Sequence, residues 1–186
     1  MNVETCRLGG VLLLRPDVFR DSRGCFKELS RRDSYAALGV DRDFVQVNSS
    51  ISRPGVIRGL HYQKRFVQAK LVAACSGSIW DVVVDCRPDS PTFGAWEAFT
   101  LTAEGGEELF VPEGFAHGFA VLGDEPAAIV YQCSDYYHPG DEGGVNAFSP
   151  ALSIAWPVPE PTMSEKDRTL PPFSPSLDFP VPKSGT

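Results

Sequence analysis

Positive charge is in short supply. The formal net charge is −7 over 186 residues, which argues against nonspecific binding to nucleic acid or to an anionic membrane. An anionic ligand would need basic residues gathered locally around it. Long apolar runs are missing as well, and none approaches the roughly 20 residues that cross a bilayer. The N-terminus has no basic stretch leading into an apolar core, so no signal peptide is expected. Five cysteines (Cys6, Cys25, Cys75, Cys86, Cys133) are odd in number and show no paired spacing. They read as reduced thiols of a cytoplasmic protein, serving mainly in packing. There is no Gly-x-Ser-x-Gly elbow and no glycine-rich phosphate loop. Histidine is scarce: His61, His117 and His138 are the full set.

What is present is a succession of short strand-like segments. The length favours one domain, residues 1–186, with a real core. Residues 11–14, 44–48 and 55–63 read as strands, as do 69–75, 78–86, 96–102, 108–112, 118–122 and 127–134. Turn-forming pairs such as Ser76-Gly77 and Gly123-Asp124 separate them. Residues 25–29 leave a turn in extended form. Ser34 to Gly39 is the one early helix candidate, with Ser34 as its cap. Many short strands at this spacing predict a sandwich or barrel. From about residue 157 the chain becomes proline-rich and unsuited to central strands. Within it Ser164-Glu165-Lys166-Asp167 has the pattern of a capped short helix. Residues 182–186 are expected to be disordered.

Two segments each deliver a histidine: Gly55-Val56-Ile57-Arg58-Gly59-Leu60-His61-Tyr62-Gln63 and Leu109-Phe110-Val111-Pro112-Glu113-Gly114-Phe115-Ala116-His117-Gly118-Phe119. Strand alternation puts His61 and Gln63 on one face, Lys70 with Val72, His117 with Phe119, and Tyr131 with Ile129 and Cys133. Turned inward, these would gather imidazole, ammonium, imidazole and phenol in one chamber. Periodicity alone leaves Lys70 and Tyr131 equally able to sit on a solvated face. Strict alternation also sends Arg58 away from His61, unless Gly59 marks a bulge that re-aims it. Three histidines on a β-scaffold could ligate a metal, but metal-binding cupin barrels usually place two histidines one residue apart. Here the second position holds Gln63, so no metal is expected. Asp81 is a candidate partner for an imidazole, and Asp85 is expected to be solvated. Asp167 could reach a histidine only if the tail folded back.

The ordered motifs resemble the dTDP-4-keto-6-deoxyglucose (dTDP-4-dehydrorhamnose) 3,5-epimerase family. They are Asp21-Ser22-Arg23-Gly24, Gln46-Val47-Asn48, Arg58-Gly59-Leu60-His61-Tyr62-Gln63, Asp85-Cys86-Arg87 with Ser90-Pro91-Thr92-Phe93-Gly94, Pro112 to Phe119, Tyr136-Tyr137-His138-Pro139, and Ser164-Glu165-Lys166-Asp167. The resemblance spans about residues 5–173. It implies an all-β, cupin-type jelly-roll barrel with a few short helices mainly near the termini, forming a homodimer that needs no metal or cofactor. It implies His61 as base with Asp167 as its partner, Tyr131 as acid on the other face of the sugar, and Lys70 near the ketone oxygen. It implies substrate contacts from Arg23, Glu28, Gln46, Asn48, Arg58, His117, Glu142 and Lys166, with Tyr137 stacking on the thymine. Tyr62 and the segment Gln63-Lys64-Arg65-Phe66-Val67 depart from the family's commoner residues, and the segment before Lys70 is shortened.

The chemistry fits these residue types independently. A ketone at C4 acidifies the hydrogens at C3 and C5, because either carbanion delocalises onto O4. Inversion needs a base on one face and an acid on the other. Histidine, with an unperturbed pKa of about 6.5, and tyrosine, near 10, suit those roles toward a carbon acid and a basic enolate. A cation beside the developing oxyanion adds electrostatic stabilisation. Two further readings share the scaffold: a single-position epimerase or ketoisomerase, and a silent sugar-nucleotide-binding module.

Overall fold

Strands of three to eight residues cannot bury their apolar side chains alone, and here they do so by pairing into two antiparallel sheets that face each other. The computed structural model describes residues 1–180; the expectation for residues 182–186 falls outside them. In chain order the strands are β1 (Asn2–Thr5), β2 (Leu12–Arg15), β3 (Phe19–Asp21), β4 (Gly24–Phe26), β5 (Gln46–Ser52), β6 (Ile57–Gln63) and β7 (Lys70–Ser76). They continue with β8 (Ser78–Asp85), β9 (Trp96–Thr102), β10 (Glu108–Val111), β11 (Phe115–Leu122), β12 (Ala127–Cys133) and β13 (Glu142–Gly144). Helix α1 (Arg32–Ala37) lies between β4 and β5, and α2 (Glu165–Arg168) follows β13. One sheet has the order β1-β2-β10-β7-β12-β5 and the other β13-β6-β11-β8-β9, with β3 and β4 forming a separate hairpin. This two-sheet, non-sequential antiparallel order is a jelly-roll barrel.

The space between the sheets is filled from both sides. Leu13, Val72, Leu109 and Ile129 of the first sheet meet Ile79, Val83, Leu101, Phe119 and Val121 of the second. The outer faces are covered too. Tyr35 and Val40 lie over Leu14, Leu71 and Phe110. Leu152 and Ile154, which precede the proline-rich tail, and Phe179 within it lie over Leu60, Val82 and Val84. Burial on both faces explains why β11, apart from His117, carries apolar residues and glycine rather than alternating with polar ones.

Several boundaries differ from the sequence expectation. The strand expected at residues 44–48 is β5, which runs to Ser52 because it pairs with β12 along its full length. Its serines hide that, since only one of its faces is covered. Strands β1, β3 and β13 are too short for periodicity to reveal. Helix α1 starts at Arg32, with Arg31 rather than Ser34 at the cap and no side-chain cap bond. Asp85 is not solvated. It is fully buried and accepts hydrogen bonds from Arg87, Ser90 and Thr92. Burial works against its carboxylate, but these donors hold its pKa down at about 2. The five cysteines are all free, with Cys86 and Cys133 buried and Cys25 and Cys75 exposed.

Candidate active site

Both sheets contribute to one cavity of about 420 Å³. Arg58 and His61 on β6, His117 on β11 and Glu142 on β13 line it from one sheet. Gln46 and Asn48 on β5, Lys70 on β7 and Tyr131 on β12 line it from the other. Tyr137, from the loop after β12, and Lys166, from α2, complete the rim. The inward placement of Lys70 and Tyr131, which alternation left open, follows from their strands lying inside a closed sandwich.

Arg58 and His61 share the cavity because β6 is bulged. Phe119 pairs with Arg58 and His117 with His61, so two steps along β11 match three along β6. The extra residue sits at Gly59, whose φ is +111°. A side chain there would meet Gly118 Cα at 2.7 Å and the His117 carbonyl oxygen at 2.8 Å. Glycine is therefore required twice over, by conformation and by space.

The tail folds back onto this strand. Thr162 forms a bridge with Val56, its N–H donating to the Gly55 carbonyl at 2.9 Å and its carbonyl accepting from Ile57 N–H at 3.0 Å. Five residues on, the Asp167 carboxylate meets His61 Nε2 at 2.7 Å and accepts from Gly59 N–H at 3.4 Å. An ionised carboxylate only accepts, so Nε2 carries the proton and Nδ1 is left with the lone pair. Burial opposes the Asp167 charge, yet the bonds from His61, Gly59 and Ser164 outweigh it and hold its pKa below the ordinary range.

His117 has a separate carboxylate. Its Nε2 lies 2.7 Å from Asp81 Oδ2. Asp81 is fully buried, and its Oδ1 has no hydrogen-bond partner among the described residues. Burial pushes the Asp81 pKa up, against the pull of His117 and Lys70. Burial pulls the Lys70 ammonium below its usual range, opposed by Cys133, its cross-strand neighbour, and by Glu142 and Asp81. The Tyr131 phenol is raised by burial first and by Cys133 next, with Arg58 acting the other way.

At the rim, Tyr137 donates its hydroxyl hydrogen to Glu142 at 2.9 Å, and Lys166 pairs with the same carboxylate. Burial disfavours the Glu142 charge, but Lys166 and Tyr137 overcome it and lower its pKa. Arg23 and Glu28 are not among the cavity's lining residues. Arg23 lies on the exposed β3–β4 hairpin, paired with Asp21, and Glu28 lies near Arg31. Ser50, Gln68 and Cys133 also line the cavity without having been singled out. Alternation along β5 would have found Ser50, on the same face as Gln46 and Asn48. Among the described residues no three or more His, Cys, Asp or Glu side chains gather as a metal-binding cluster.

A jelly-roll barrel that encloses an imidazole–carboxylate pair, a phenol and a buried ammonium defines a cupin-type enzyme equipped for proton transfer at carbon. A family model described as dTDP-4-dehydrorhamnose 3,5-epimerase matches residues 5–175. The chain belongs to that family. A dTDP-4-dehydrorhamnose 3,5-epimerase of Neisseria gonorrhoeae is 48% identical over 90% of the chain. The chain spans about half the length of that relative, 51%. One of Pseudomonas aeruginosa is 45% identical over 97% of the chain and 100% of its own length. Among solved structures, an epimerase of Legionella pneumophila in complex with dTDP-4-keto-L-rhamnose is 38% identical, with a TM-score of 0.87. That match covers 93% of this chain and 98% of the other. No helix among the described residues is long and apolar enough to cross a membrane.

Proposed function

We propose that this chain inverts C3 and C5 of dTDP-4-keto-6-deoxyglucose, giving dTDP-4-keto-L-rhamnose through an enolate. The observation that carries the reading is the pairing of His61 with Asp167 on one wall of the cavity while Tyr131 and Lys70 line the other. His61 Nδ1 takes the proton from the carbon beside the ketone. The electron pair moves onto O4, where the Lys70 ammonium stabilises it. Tyr131 then gives its hydroxyl proton to the opposite face of the same carbon, and the inverted centre forms. Asp167 keeps the Nε2–H tautomer in place and stabilises the imidazolium between the two transfers. Once His61 has released its proton to solvent and the Tyr131 phenolate has regained one, the same groups act at the second carbon. His117, Gln46, Asn48, Arg58, Glu142 and Lys166 bind the nucleotide sugar, and Tyr137 stacks on the base. The bound product in the Legionella relative supports a ligand of this kind.

The active form in this reading is a homodimer. Arg23 and Glu28 would contact substrate only in a second copy's cavity. The exposed Phe19 and Phe26 beside Arg23, and the exposed Val47 and Ile51 on edge strand β5, supply an apolar surface for that association. Five free thiols fit a reducing, cytoplasmic setting.

The test is incubation with dTDP-4-keto-6-deoxyglucose in deuterated water, followed by NMR. Deuterium at both C3 and C5 with formation of the L-sugar is expected. Label at one carbon only would assign a single-position epimerase. No label with intact binding would assign a silent binding module.

A further inference from the structure

The contacts between β6 and the tail assign a role to a residue that touches neither the cavity nor the reacting groups. Alternate residues of the β6 segment grip the tail in succession. Gly55 and Ile57 hold Thr162, while Gly59 and His61 hold Asp167. Between Thr162 and Asp167 the chain must turn sharply, so that a backbone running alongside β6 delivers a carboxylate onto it. The turn is α2, a helix of four residues. A helix that short does not form on propensity, because nucleation fixes several dihedrals for a single backbone hydrogen bond.

Ser164 supplies what the turn lacks. It stands at the N-cap with φ −66° and ψ 155°, extended as a cap requires. Its Oγ accepts from the Asp167 N–H at 3.0 Å. The residue whose backbone is held is thus the residue whose carboxylate meets His61. Without the Ser164 oxygen, the Asp167 N–H loses its partner and the backbone beneath the carboxylate is free to shift. The two carboxylate contacts, 2.7 Å to His61 and 3.4 Å to Gly59, depend on that backbone. Proton-transfer geometry is sensitive at this scale: a displacement of about 1 Å can cost about a hundredfold in rate.

We propose that Ser164 is a positioning residue for the His61–Asp167 pair, acting on the base through Asp167. The proposal rests on the epimerase reading above. It separates Ser164 from a mere tail-stability residue, because Asp167 is its route to the chemistry.

The experiment is a double-mutant cycle read by the rate of deuterium entry at C3 and C5, with Ser164→Ala, Asp167→Asn and the pair. Ser164→Ala is expected to lower the rate about tenfold, the effect of losing roughly 1.4 kcal/mol of positioning. In the Asp167→Asn background it is expected to have little further effect, since the carboxylate it positions is gone. Ser164→Asp and Ser164→Thr retain a capping oxygen and are expected to recover most of the loss. Far-UV circular dichroism and thermal unfolding of each variant separate a displaced tail from an unfolded chain. Equal losses in both backgrounds, or no recovery by either capping variant in a folded protein, would overturn the assignment. Failure of the epimerase reading would look different: the wild-type chain itself would wash no deuterium into C3 or C5.

Discussion

His61 and His117 are cross-strand partners on β6 and β11, and each presents its Nε2 to a different buried carboxylate at 2.7 Å. Two imidazole–aspartate pairs thus stand side by side on one wall of the cavity. They differ in their surroundings. Asp167 has a second contact, from Gly59 N–H, and its pKa is lowered. Asp81 keeps an unpartnered oxygen, and its pKa is raised by burial. An ionised Asp167 carboxylate, held by hydrogen bonds rather than by solvent, is placed to stabilise the imidazolium that the proposed base forms once it has taken a proton.

This asymmetry predicts the outcome of replacing each imidazole by a neutral amide of similar size. His61→Asn should abolish both epimerisation and solvent exchange at C3 and C5 together, since both begin with one abstraction. His117→Asn should weaken substrate binding more than it slows exchange in the bound complex. Deuterium wash-in followed by NMR at saturating substrate checks this. Near-normal exchange in His61→Asn beside a dead His117→Asn would reverse the roles.

Tyr131→Phe removes only a hydroxyl from the opposite wall. Inversion is expected to fall by about a hundredfold or more, the usual scale for a general acid. Nucleotide-sugar affinity should survive, and exchange without inversion can persist because His61 still abstracts. Product analysis beside deuterium analysis distinguishes the two. Unchanged turnover would place the acid elsewhere.

Gly59→Ala tests the bulge. The added methyl would press on Gly118 Cα and the His117 carbonyl, at a φ of +111° that other residues rarely adopt. The expected loss is at least about 2 kcal/mol of stability, with an additional drop in activity because Arg58, His61 and the N–H that holds Asp167 all shift. Chemical denaturation and turnover of the folded fraction measure the two parts separately. A variant as stable and active as the wild type would contradict the geometric requirement.

Glu108 predicts a pH dependence away from the cavity. It is fully buried on β10, and Tyr35 Oη lies 2.7 Å from its Oε2 and 2.8 Å from the Leu29 carbonyl oxygen. One hydroxyl hydrogen cannot serve both acceptors, whereas a protonated Glu108 can donate to Tyr35 while Tyr35 donates to Leu29. Burial pushes the Glu108 pKa up to about 7, against the lowering effect of Tyr35 and Lys27. A carboxyl that binds its proton more tightly when folded gives stability that is fully present below its unfolded pKa of 4.5 and is lost as pH rises through 7. The loss is of order 3 kcal/mol. Glu108→Gln should be the more stable protein at pH 8 and should lack this slope. Urea unfolding at pH 5 and pH 8 reads the difference, and parallel slopes in both proteins would refute it.

Residue types and their order determined the class of this protein before any coordinates. Short apolar strands between turns meant two covered sheets. The ordered motifs resembled an epimerase family, and that resemblance carried the expectation of carbon-acid chemistry on a nucleotide sugar. Even the re-aiming of Arg58 was legible, because a glycine inside a strand signals a bulge. The resemblance implied Asp167 for His61, but residue patterning alone could not, and only the tertiary structure paired Asp81 with His117. Asp167 lies 106 positions from His61, and Asp81 lies 36 from His117, and strand periodicity carries no information about such pairings. It reports which face a residue takes on its own strand and nothing of what the tail or the neighbouring strand brings to that face. The same limit applied to Asp85, expected to be solvated yet fully buried, and to the fully buried Glu108. Glu108 is met by Tyr35 from 73 positions away, and Asp85 is held by the turn that follows its own strand.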